Sequence, residues 1–152
     1  MHDLDTVVTL ARQLAEGRHD AMPADGPDVL ARFTEICSQP NRSLLVAAVA
    51  ENVLGMADLV VVANLTHGGR PWAIVENVIV DENCRNGGIG RALMGEALAR
   101  AERAGCYKVQ LLSRKNRSGA HAFYARLGFE ASAEGFRRYL GDGTDEKSRP
   151  NG

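Results

Sequence analysis

Apolar residues recur at helical spacing from the start of the chain: Leu4, Val7, Val8, Ala11 and Leu14. That period marks one face of an amphipathic helix, with Asp3 as its N-cap and Gly17 as its stop. A polar link from Arg18 to Gly26 carries Pro and Gly. A second stripe follows at Val29, Leu30, Phe33, Ile36 and Cys37. Pro27 or Asp28 opens that helix and Gln39-Pro40-Asn41 closes it. The pattern then changes. Ser43 to Ala50 is apolar and β-branched, Asn52 to Gly55 reads as a turn, and Met56 to Leu65 reads as the second strand of a hairpin. After a loop at His67-Gly68-Gly69-Arg70-Pro71, Trp72 to Val80 is a further strand, interrupted only by Glu76 and Asn77.

Helical spacing returns at Ile89, Leu93, Met94, Ala97, Leu98 and Ala101, and Gly105 ends it. Cys106 to Leu112 reads as a strand, which completes a βαβ unit. Ser113 to Gly119 is a basic loop with Arg114, Lys115 and Arg117. A short helix spans Ala120 to Leu127 and stops at Gly128, and Phe129 to Ala131 with Phe136 to Leu140 form a final strand pair. The tail from Gly141 has no apolar anchor and is expected to be disordered. These elements predict one α/β (α+β) domain over residues 1–140, a mixed, twisted sheet flanked by helices, with 141–152 as a tail.

Composition adds exclusions rather than a function. A chain of 152 residues, 45% hydrophobic and 24% charged, suits a single globular core. A formal net charge of -1 exerts no general pull toward nucleic acid or anionic membrane, so neither is expected as a partner. No apolar run is long enough to span a bilayer and no signal peptide opens the chain, so a cytoplasmic location is expected. Cys37, Cys84 and Cys106 are odd in number and widely spaced, and no Cys-x-x-Cys or His-x-x-x-His pair occurs. Neither a disulfide framework nor a metal site is therefore expected, and the three thiols read as small buried or loop residues.

The chemistry concentrates in Val78-Ile79-Val80-Asp81-Glu82-Asn83-Cys84-Arg85-Asn86-Gly87-Gly88-Ile89-Gly90-Arg91-Ala92-Leu93. Here a strand ends in a glycine-rich turn and opens a helix. Successive N–H groups converge there with the positive end of the helix, which makes an anion site. A P-loop requires Gly-Lys followed by Ser or Thr, and Gly90-Arg91-Ala92 lacks it. A dinucleotide fingerprint requires Gly or Ala where Leu93 stands, and it would come earlier in the chain. Arg85-Asn86-Gly87-Gly88-Ile89-Gly90 fits Arg/Gln-x-x-Gly-x-Gly/Ala and resembles the acetyl-CoA pyrophosphate loop of the GNAT acetyltransferase superfamily. Phe123-Tyr124-Ala125-Arg126-Leu127-Gly128-Phe129 is similar to the Phe-Tyr-x-x-x-Gly-Phe element of the same enzymes. The resemblance covers about Ser43 to Leu140. Glu76-Asn77 ahead of Val78-Ile79-Val80 also resembles the glucosamine-phosphate N-acetyltransferase branch, a feature shared by GNAT proteins of unassigned substrate.

The resemblance implies acetyl transfer from acetyl-CoA, without a metal, to a primary amine on a small molecule or peptide. It implies coenzyme contacts from Val78, Ile79, Val80, Arg85, Asn86, Gly87, Gly88, Ile89, Gly90 and Arg91. It implies two strands that splay apart around the pantetheine arm, and a general acid at Tyr124. Arg117 stands where the family often has asparagine, and is assigned to the coenzyme's phosphates instead. Glu76 interrupts an apolar strand, where a carboxylate is costly unless it is hydrated or partnered. It is either the base for the attacking amine or a carboxylate that binds a cationic group. Strand alternation places Glu76, Val78 and Val80 on one face. The family's usual first strand is missing ahead of the first helix, which leaves a sheet edge to be covered and suggests a homodimer. The alternative to an enzyme is a non-catalytic acyl-CoA-binding sensor or interaction module.

Overall fold

The computed structural model describes residues 2–15, 27–138 and 140. Two helices come first, α1 (His2–Ala15) and α2 (Pro27–Ser38). The strands β1 (Arg42–Val49), β2 (Asn52–Val62) and β3 (Trp72–Val80) follow, then α3 (Ile89–Arg103), β4 (Val109–Gln110) and α4 (Ser118–Arg126). The sheet order is β1-β2-β3-β4, antiparallel through β3 and parallel between β3 and β4. This is the mixed sheet flanked by helices that the sequence pattern predicts.

Each face of the sheet carries its own apolar cluster. On one, Leu45, Ala57, Leu59, Ala73 and Val75 meet Leu93, Met94, Ala97 and Ala101 of α3. On the other, Val53, Met56 and Ile79 meet Val7 and Leu10 of α1, with Phe33 of α2 alongside. The stripe read on α3 is therefore its buried face; α1 buries Val7 with Leu10, which lies outside its stripe, and Leu30 of the α2 stripe is exposed. Gly55 lets α3 approach: a Cβ there would stand 2.9 Å from the Ile79 carbonyl oxygen and 3.0 Å from Leu93 Cδ1.

Several boundaries differ from the sequence reading. α1 already includes Asp3, which is therefore not its N-cap; Gly17, the link at 18–26 and the tail from 141 lie outside the described residues. The hairpin turn is Ala50-Glu51 and not Asn52 to Gly55, because Ala50 takes a left-handed φ of 53° and closes the turn in two residues. No strand pair forms in 129–138, and Phe136 is 89% exposed. A short alternating segment without a neighbour to share its ladder has no reason to be a strand. The strand expected over Cys106 to Leu112 pairs only at Val109 and Gln110. As expected, the first described element is a helix, and β1 lies at a sheet edge with Val46 and Val49 exposed.

Asp58 is a buried acidic side chain in β2, 2% exposed. Arg42 from β1 grips its carboxylate with two donors, Nε to Oδ1 at 2.8 Å and Nη2 to Oδ2. That grip raises the Arg42 pKa and keeps the guanidinium charged. Removing one member of such a pair strands the other. Arg42→Met is expected to cost about 3–5 kcal/mol of stability. Replacing both, Arg42→Met with Asp58→Leu, is expected to recover most of it, and urea denaturation of the three proteins checks this.

Candidate active site

The site is built around an irregularity in β3. Asp58 pairs with Glu76 and Met56 with Ile79, so the single residue Ala57 faces two residues, Asn77 and Val78. This is a β-bulge, and Asn77 carries it at φ 53°. Asparagine tolerates that left-handed conformation better than most side chains. The apolar run breaks at Glu76-Asn77 because the strand itself breaks step there.

The bulge corrects the expectation that Glu76 shares a face with Val78 and Val80. Before it, Ala73 and Val75 face α3, so Glu76 turns toward the α1 side. After it, Val78 and Val80 face α3, while Ile79 faces α1. One inserted residue has exchanged the faces.

The same residue sets the direction of the main chain. The Asp81 N–H bonds to the Leu54 carbonyl at 2.8 Å, toward β2. Alternation then points the N–H and C=O groups of Val78 and Val80 to the opposite edge, away from β2. On that edge β4 pairs with β3 at only two positions, Ala73↔Val109 and Ile74↔Gln110. Beyond them the two chains separate, and among the described residues no strand pairs with this edge of β3 from Val75 to Val80. The result is an open gap walled on one side by main-chain donors and acceptors.

The gap ends at the glycine-rich turn. The Asp81 side chain accepts from the Asn83 N–H at 2.9 Å and caps a 3-10 turn over Glu82–Cys84. The Asn83 hydrogen bonds are the main reason the Asp81 pKa is lowered, so this cap stays ionised. Arg85 follows, its Nε donating to the Val80 carbonyl at 3.3 Å and its side chain exposed. Asn86 and Gly88 both adopt positive φ, 66° and 84°, which turns the chain into α3. Gly87 and Gly88 are exposed, and a Cβ on Gly88 would meet nothing within 4 Å. Packing therefore does not require these glycines; the positive φ of Gly88 favours one there, and both leave the backbone open to close approach. Gly90 lies deeper, where a Cβ would stand 3.3 Å from Phe123 Cζ. Ile89 is half-buried against the α3-side core, and Arg91 is exposed on the first turn of α3.

α4 brings Tyr124 to the same region. Its ring is half-buried among aromatics, 5.2 Å from the Phe123 centroid and 6.0 Å from that of Phe129. Burial above all pushes the phenol up from its ordinary value of 10.0; Arg117 pulls it down and Glu76 raises it further. The phenol therefore keeps its proton at neutral pH, and both charges act on it. Glu76 and Arg117 are thus each within electrostatic reach of Tyr124, although the three come from separate segments. The loop ahead of α4 is anchored by His121, whose Nε2 lies 2.9 Å from the Arg114 carbonyl. Two groups escaped the sequence reading. Asp58, the cross-strand partner of Glu76, signals itself only as a lone carboxylate in an apolar strand. Ser113 carries no sequence signal, yet its hydroxyl is buried with no hydrogen-bond partner.

A glycine turn at the end of an open gap, with a neutral phenol beside it, suits a long ligand bearing an anion at one end and amides along its arm. No group of three or more His, Cys, Asp or Glu side chains that would hold a metal occurs among the described residues. A family model described as the Acetyltransferase (GNAT) family matches residues 10–129. The chain belongs to the GNAT acetyltransferase family. It is similar to a solved acetyltransferase-like protein of Agrobacterium tumefaciens, with 33% identity, 91% of this chain and 94% of that one covered, and a TM-score of 0.82. A protein of Bacillus halodurans solved as a transcriptional regulator is 31% identical, with 91% and 93% covered and a TM-score of 0.79. A glucosamine 6-phosphate N-acetyltransferase of Trypanosoma brucei brucei is 37% identical over 79 residues, 52% of each chain. The match thus spans about half the length of that curated relative.

Proposed function

We propose that this protein transfers the acetyl group of acetyl-CoA to a primary amine, by direct attack within a ternary complex. The observation that carries the reading is the gap between β3 and β4, which runs from the Asn77 bulge to the Gly87-Gly88 turn. Bound acetyl-CoA supplies an activated thioester. The main chain of Val78 and Val80 holds the arm, and the Val78 N–H polarises the thioester carbonyl. The N–H groups from Asn86 to Arg91 take the pyrophosphate, with Arg85 and Arg117 adding charge. Tyr124 holds the proton that the departing sulfur needs. Glu76, on the α1 side, takes a proton from the acceptor amine.

The trypanosomal relative's name makes glucosamine 6-phosphate one acceptor to test, beside amino acids, unphosphorylated amino sugars, polyamines and peptides. The decisive experiment measures acceptor-dependent release of CoA across that panel. Release with at least one amine is the expected result. Tight binding of acetyl-CoA without release to any amine would favour a coenzyme-sensing module, a reading that the relative solved as a transcriptional regulator keeps in view.

Gly88→Val tests the turn. Valine at φ 84° is strained and places a branched side chain where phosphate must meet N–H groups. Loss of a charge-assisted hydrogen bond corresponds to roughly 10–100-fold weaker acetyl-CoA binding. The fold is expected to survive, because the added atoms meet open space. Calorimetry on a folded variant with unchanged affinity would remove the assignment.

A further inference from the structure

The sheet sets two carboxylates against each other. Asp58 and Glu76 are direct partners in the antiparallel register of β2 and β3, the last regular pair before the bulge. They share a face. Ala57 and Leu59 on β2 pack toward α3, as Ala73 and Val75 on β3 do, so Asp58 and Glu76 both turn to the α1 side. Directly opposed side chains start about 5 Å apart, and like charges in that position repel.

Arg42 holds one member of the pair. Its Nε donates to Asp58 Oδ1 at 2.8 Å and its Nη2 donates to Oδ2. Asp58 is 2% exposed, whereas Glu76 is half-buried. Across the sheet the order is Arg42 on β1, Asp58 on β2 and Glu76 on β3. The negative end of the ion pair is therefore the end nearer Glu76, and the guanidinium stands behind it. Other groups act along this row among the described residues. Tyr124 feels both Glu76 and Arg117, and Glu35 and Cys37 of α2 act on Arg42. α1 lays the apolar Val7 and Leu10 against the sheet. Because its arginine fixes Asp58 as an anion, the repulsion between the two carboxylates falls on Glu76. A carboxylate in that position holds a proton more readily. We propose that Asp58 is a positioning residue whose charge, anchored by Arg42, strengthens Glu76 as the base for the acceptor amine. The inference rests on the acetyl-transfer reading given above and adds a buried pair that no motif marks.

Two variants separate the charges. Arg42→Met with Asp58→Leu removes both and keeps their places filled. Asp58→Asn removes only the carboxylate and leaves Arg42 to act on Glu76. Carbon-13 NMR of protein labelled at the glutamate carboxyl carbon reads the titration of Glu76, whose signal is assigned by its loss in Glu76→Gln. An anionic neighbour disfavours the ionised form, so removing it lets Glu76 ionise at lower pH. The Glu76 midpoint is expected to fall by about one pH unit in the double variant, and by more in Asp58→Asn. The acid limb of kcat/KM for an acceptor amine should move to lower pH by the same amount. A pair that served only the fold would change the melting temperature and leave the midpoint in place. An unchanged midpoint in the folded double variant would overturn the proposal. A midpoint that moves while the acid limb stays would overturn the part assigned to Asp58 in the reaction. If no amine is acetylated, the acetyl-transfer reading falls instead, and the midpoints still decide whether Asp58 acts on Glu76.

Discussion

Tyr124→Phe is expected to lower kcat by roughly 10²–10⁴-fold, the usual contribution of a positioned general acid. The substitution removes one oxygen and keeps the ring, so the packing against Phe123 and Phe129 persists. Acetyl-CoA affinity and melting temperature should therefore change little. The pH dependence follows from the direction of the phenol's shift. Burial raises its pKa above 10.0, so the donating form persists through neutral and mildly alkaline pH. The parent protein should show no loss of kcat attributable to this group through neutral and mildly alkaline pH. Steady-state kinetics of the two proteins check both points. Normal turnover by Tyr124→Phe would mean that the sulfur leaves unassisted or that another acid serves it.

Glu76→Gln is expected to reduce kcat/KM at neutral pH by a comparable factor, roughly 10²–10⁴-fold. The amide preserves shape but cannot accept a proton from the acceptor's ammonium group. As pH rises, more of the amine is already deprotonated, so the deficit should shrink on the alkaline side. A carboxylate that only binds the acceptor behaves differently: KM would rise while kcat held constant at every pH. A pH series on the variant separates the two roles. Glu76 lies on the α1 side of the sheet and Tyr124 packs on the α3 side, so the two substitutions can fail independently.

The glycine-rich turn and the aromatic helix were legible because each is local. Arg85-Asn86-Gly87-Gly88-Ile89-Gly90 carries its own dihedral requirements, and Phe123 and Tyr124 sit one turn from Leu127 on one helix. The helical stripe of α3 was equally readable, since its period matches the face it buries, whereas α1 buries Leu10 from outside its stripe and α2 leaves Leu30 exposed. Pairing was not. Phe129 to Ala131 alternates like a strand, but the neighbour that would make it one is not written in the segment. Val109 and Gln110 alone pair out of the seven residues from Cys106 to Leu112, because past Gln110 the chain parts from β3. Ser113 was invisible for a similar reason: a serine acquires meaning only from what surrounds its oxygen. Asp58 was overlooked although it interrupts an apolar run as Glu76 does, because its answering charge, Arg42, is supplied by a different strand.

Asn77 also changes how β3 must be compared with its relatives. The strand has two reading frames. Up to Val75 the odd positions answer to α3; from Val78 onward the even positions do. A substitution pattern counted straight through the strand would average two opposite rules and look like noise. Deleting one residue at this point would not merely shorten the strand: it would move Val78, Ile79 and Val80 each into the other's environment. The site thus depends on a count as much as on any side chain, and an alignment that slides a gap past Asn77 compares residues from different sides of the protein.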